Sequence, residues 1–188
     1  MDYVASVRSS GDPTAAKLIA AFGLIQVTLF LGAAISRVTP YAWDAWTQGL
    51  LSPGQKVLFV GWSVLMLYSE GYKGFHLRFC PRVVGRAIEL GRTRRPLDLV
   101  LALPYCLSLY GASRKQLIAR WVFIACLYTL IAVVRHLSQP WRGIVDAGVV
   151  VGLAWGILGL WWFFAQHLAG RFPVAEAEAA PGDVSPAT

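Results

Sequence analysis

Three features of the chain predict an all-α integral membrane protein, a bundle of four transmembrane helices plus one re-entrant or interfacial helix. From Ala147 to Phe164 it reads AGVVVGLAWGILGLWWFF, eighteen residues with no charge or proline. As a helix that run rises about 27 Å, close to the roughly 30 Å hydrocarbon core of a bilayer. Comparable runs lie at Leu18–Ile35, Val57–Tyr72 and Leu117–Val134. With 56% apolar and only 14% charged residues in 188, the chain has too little polar surface for a water-soluble fold of this size.

Residues 1–170 are read as one polytopic membrane domain. The first run, Leu18–Ile35, follows a segment containing Asp2, Arg8, Asp12 and Lys17, longer and less basic than the start of an export signal, so it is expected to remain as an uncleaved helix. The connection Ser36–Gln55 contains Tyr41, Trp43 and Trp46, residues suited to an interfacial aromatic belt. After the second run, the connection Lys73–Pro96 carries Lys73, Arg78, Arg82, Arg86, Arg92, Arg94 and Arg95 against Glu89 alone. The positive-inside rule places it in the cytoplasm and the Ser36–Gln55 connection outside. Within it, Pro81 at a first turn and Gly91 just past an end delimit a short amphipathic helix expected to lie in the headgroup plane. Arg78, Arg82 and Arg86 are the candidate contacts to anionic lipid headgroups.

Leu97–Ala112 decides the number of crossings, because Asp98, Pro104 and Gly111 interrupt its sixteen residues. If it dips in and returns, thirteen Lys and Arg face the cytoplasm and four face outward; if it crosses, the split is eleven to six. The more asymmetric split is preferred, with both termini cytoplasmic, and five spanning helices are the alternative. Beyond Arg171 the composition turns to Ala, Pro, Glu and Asp, so residues 171–188 are expected to form a disordered acidic tail.

Several polar groups and small residues stand out against this apolar background. Gly148, Gly152 and Gly156 recur every fourth position and line one helix face, a candidate packing seam for a helix of the same chain or of a second protomer. Asp146 follows Arg142 by four residues, so the two share a face, and the tight turn after Arg135 is expected to bring a second cation to the same carboxylate. Glu70 is placed near the cytoplasmic end of the second span, with Arg120 as its interhelical partner. Each ionisable group near the hydrocarbon is a candidate site by default.

These features exclude more functions than they assign. The net charge of +7 sits in connections between apolar runs rather than on one solvated face, which argues against nucleic acid as a partner. Cys80, Cys106 and Cys126 show no CxxC spacing, so neither a zinc ribbon nor a disulfide framework is expected. His76, His136 and His167 build no convincing haem or metal site, no catalytic constellation is evident, and no cofactor is predicted. The expectation is a non-enzymatic assembly, accessory or lipid-interacting subunit, partnered by the bilayer and by its own copies or a larger membrane complex. The alternative is a small oligomeric transporter or channel for an ion or small solute, in which Asp146, Glu70 and Arg135 handle charge. Arginine-rich, lysine-poor usage and short connections fit a bacterial inner membrane.

Overall fold

The computed structural model describes residues 13–93, 101–107 and 114–171, and among them there is helix and connection but no strand. The helices are α1 (Pro13–Thr47), α2 (Pro53–Met66), α3 (Leu67–Phe79, wound as a π-helix), α4 (Cys80–Thr93), α5 (Ala102–Cys106), α6 (Arg114–Arg135) and α7 (Trp141–Leu168). Among the described residues, α1 from Thr14 onward and α7 are the two helices long and apolar enough to cross a membrane. The acidic tail and the ends of the Leu97–Ala112 segment lie outside the described residues.

Local chemistry explains where the helices begin and end. Gly49, at φ 68°, takes the chain out of α1 through a left-handed turn that a side chain would disfavour. Ser52 then caps α2: its hydroxyl accepts from the Gln55 N–H, and the Gln55 side chain accepts from the Ser52 N–H at 2.9 Å. Pro53 occupies the first turn, where its missing N–H costs nothing. At the end of α7, Gly170 at φ 70° lets the Arg171 N–H return to the Gln166 carbonyl at 2.9 Å.

Helices α2, α3 and α4 follow one another without a break from Pro53 to Thr93. This rod runs alongside α7 in the same direction, and α1 runs antiparallel to both. Lys17 of α1 is level with His167, the Thr28 hydroxyl accepts from Trp161 Nε1 at 3.2 Å, and Ala45 packs on Gly143. On the rod, Trp62 and Met66 are level with Gly148, Phe75 with Gly156, and Cys80 with Gly159.

The tightest core lies toward the Lys17 end. There Ala20, Leu24, Val27 and Leu31 of α1 meet Val83, Val84, Ala87 and Ile88 of α4 and Leu160 and Phe164 of α7. The expected headgroup-plane helix is therefore corrected: α4 continues the rod, and its apolar face is buried in protein. Gly91 lies inside it rather than past its end, because a methyl there would overlap the Ala16 carbonyl and only glycine permits that approach. The described part of the Leu97–Ala112 segment is α5, whose five residues rise about 7 Å. Cys106 of α5 is buried against Gly23 of α1. Helix α6 lies loosely beside α7, with Trp121, Val122, Tyr128, Leu130 and Ile131 exposed.

Hydroxyls within the apolar helices are satisfied locally. Thr28, Thr39, Ser63, Ser69 and Thr129 each donate to the carbonyl four residues back, at 2.8–2.9 Å. This keeps their polarity off the helix surface.

The glycine contacts predict opposite signs for one substitution. Gly143→Ala drives a methyl into Ala45 and toward the Tyr41 carbonyl and should cost about 1–3 kcal/mol, the usual range for overpacking. Gly61 has open space around it, so Gly61→Ala should be neutral or stabilise by about 0.5–1 kcal/mol through helix propensity. Thermal unfolding of both variants in detergent, followed by circular dichroism, measures the contrast.

Candidate functional site

The polar groups fall at three levels along the bundle. At the end where α1 finishes and α7 begins, Asp146 is buried to 4% exposure and its Oδ2 lies 3.5 Å from Arg142 Nε. That separation is an ion pair rather than a hydrogen bond. The Arg142 guanidinium also stacks on the Tyr41 ring, with Cζ 3.4 Å from its centroid. Gln139 ties the same corner together: its Nε2 donates to the Tyr41 carbonyl at 3.1 Å, and its Oε1 accepts from the Gly143 N–H at 3.2 Å. Arg135 ends α6, is exposed and forms no ion pair with Asp146. The expectation of two cations on this carboxylate is corrected: the second face of Arg142 is occupied by Tyr41, and Gln139 holds the corner where Arg135 was expected. Tyr41 and Gln139 had no individual signal in the sequence beyond an aromatic in a connection and a polar residue before Pro140.

Along the middle, the glycine face of α7 meets the rod. A methyl on Gly148 would lie 2.6 Å from Trp62 Nε1 and one on Gly156 2.6 Å from Phe75 Cδ1, whereas one on Gly152 would reach Glu70 Cβ at an ordinary 3.6 Å. The rod residues that face α7 include Trp62, Met66, Gly71, Phe75 and Cys80, a spacing of four or five. The wider spacing in α3 follows from its π winding, which carries the chain farther round before a residue returns to the same face.

This register moves Glu70. Gly71 packs on Trp155, half-way along the apolar run of α7, and Glu70 lies beside Gly152. Its expected place near the end of the second apolar run is corrected: the rod continues well past it, so it sits level with the middle of the apolar run of α7. Six residues separate Gly152 from Asp146, about 9 Å along the helix, so Glu70 and Asp146 are not at opposite ends either. Glu70 and Lys73 are exposed, and Lys73 Nζ sits 4.8 Å above the Tyr68 ring. Tyr68, Tyr72 and His76 stack in succession at 6.3 and 5.7 Å. The backbone of Arg120 belongs to α6, but its side chain, and with it the Glu70–Arg120 pairing, lies outside the described residues.

Among the candidate headgroup arginines, Arg78 and Arg82 are exposed, and Arg82 Nε donates to the Arg78 carbonyl at 2.6 Å. Arg86 is half-buried with its guanidinium 5.4 Å from the Tyr105 ring centroid. His76 lies beside Cys80 under Gly159, while His167 is at the far end of α7. Among the described residues no three His, Cys, Asp or Glu side chains converge as metal ligands would. The chain matches no protein-family model, no curated protein and no solved structure.

The buried pair has a measurable asymmetry. Arg142→Leu leaves the Asp146 carboxylate buried without its cation and should destabilise by about 3–5 kcal/mol, whereas Arg142→Leu with Asp146→Leu should recover most of that loss. Chemical denaturation in detergent, comparing the single and double variants, reads the difference.

Proposed function

We propose that this protein is a small membrane-embedded, non-enzymatic assembly or accessory subunit, its described helices standing across the bilayer as part of a four-span bundle. The observation that carries the reading is the exposure of Glu70 and Lys73 level with the middle of the apolar run of α7. A charged group facing lipid at that depth is costly, and such groups are found against protein or a water-filled cavity. The hollow bounded by Phe59, Val60, Ser63, Val64, Leu67 and Val151 contains neither Glu70 nor Lys73 and has no charged side chain in its walls. A partner surface, a second copy or another subunit, supplies the cover.

Two further features support the membrane placement. Trp141 and Trp162 are both exposed, and the twenty-one residues between their positions rise about 31 Å, so two aromatic levels are separated by the thickness of the hydrocarbon. Trp43 and Trp46 are exposed at the Trp141 end. A bacterial inner membrane and cytoplasmic termini complete the proposal on the strength of the basic connection.

A transport role draws on the same charges, and the short distance between Glu70 and Asp146 is what favours it. The experiment separates the two. With a photo-crosslinking residue at Tyr72, in native membranes, the assembly reading expects a discrete protein adduct. The same residue at Leu158, an exposed apolar position on α7, should give none. No adduct at Tyr72, together with Glu70→Gln abolishing solute flux in liposomes, overturns assembly in favour of transport. Orientation is tested by a reporter fused after Thr188, expected to be active only when it is of the kind that works in the cytoplasm.

A further inference from the structure

The end of the bundle opposite the Asp146 corner holds a cluster that none of the preceding roles uses. Lys17 of α1, Arg92 of α4 and His167 of α7 line one cavity of about 140 Å³, floored by Ala16, Ala20 and Ile88. Three helices thus bring three nitrogen bases or cations to one place, and among the described residues no carboxylate lines it. Glu89, one turn back on α4, is not among its walls.

Helix ends explain only part of this. Arg92 and His167 lie in the last turns of α4 and α7, where exposed carbonyls favour positive charge. Lys17 has the opposite setting. It is the fifth residue of α1, far from that helix's own C-terminus, so no exposed carbonyls of α1 account for a cation there. The close seat of Gly91 on the Ala16 carbonyl fixes α4 against α1 and so holds Arg92 next to Lys17. Like charges gathered in one cavity repel, and an anion seated between them removes that cost and accepts charge-assisted hydrogen bonds from all three.

We infer that Lys17, Arg92 and His167 form a binding site for a phosphate group, either the phosphodiester of an anionic lipid headgroup or a free phosphate. The size selects a small group, since cavities that enclose whole metabolites start at about 300 Å³. The floor of Ala16, Ala20 and Ile88 above the apolar core suits a phosphate at a membrane surface, so the lipid source rests on the membrane reading proposed above.

The test is thermal unfolding of the detergent-purified full chain, followed by tryptophan fluorescence. It is titrated with phosphatidylglycerol in mixed micelles, with phosphatidylcholine, and separately with inorganic phosphate. The expected result is a saturable rise in melting temperature with phosphatidylglycerol but not phosphatidylcholine, with apparent affinity falling about tenfold or more in Lys17→Gln/Arg92→Gln. Lys17→Arg/Arg92→Lys, which keeps both charges, should retain binding, and Lys56→Gln at the other end should behave as wild type. If the double Gln variant fails to fold, His167→Gln carries the same comparison. A saturable effect of inorganic phosphate, lost in the same variants, assigns the site to the free anion. Equal responses of wild type and the Gln variants to every titrant overturn the site, while the need for detergent, and so the membrane reading, stands apart from that outcome.

Discussion

The close approach of α7 to the rod is the constraint on which the remaining arrangement depends. Gly148 and Gly156 have no side chain to hold the helices apart, so Trp62, Met66 and Phe75 seat directly on the α7 backbone. In water such contacts add to hydrophobic burial, and between helices surrounded by lipid they would be a main source of attraction, because lipid tails match leucine for apolarity and cannot match it for fit. Once the rod is seated, α4 must extend down the same line, and that brings Val83, Val84 and Ala87 onto α1. The basic stretch is thereby turned from a surface segment into a wall of the core.

The winding of α3 sets what each level of the rod presents. An α-helical reading advances 100° per residue, and over Leu67–Phe79 that count drifts away from the real face. The π winding keeps Gly71, Phe75 and Cys80 on α7 while Glu70, Tyr72 and Lys73 turn outward. Pro81 follows directly, and with no N–H to extend the wider ladder the chain resumes α winding. By residue type and spacing alone it reads as the start of a separate helix. It marks instead a change of pitch inside a continuous one.

What could be read from the residues alone was local. The four-residue spacing of Arg142 and Asp146 announced their pairing, and the every-fourth glycines announced a face for close packing. The apolar side of α4 was also plain from Val83, Val84, Ala87, Ile88 and Leu90. Each of those inferences needs only one helix. The partner of each face was hidden, because it depends on how far one helix slides along another. That slide placed Glu70 level with the middle of α7, kept Arg135 away from Asp146 and assembled Lys17, Arg92 and His167 from positions far apart in the chain. No periodicity within a single segment encodes such a juxtaposition.

The three apolar runs also end at different heights. The run of the rod stops at Tyr72, beside the middle of that of α7, while the run of α1 starts level with His167. In the membrane placement proposed above, a lipid annulus would meet a rim that rises and falls with direction, and matching it would mean thinning on one flank and thickening on another, at fractions of a kcal/mol per Å. So placed, the molecule would carry a built-in tilt relative to the sheet around it, and a neighbour docked against the low flank would level the rim.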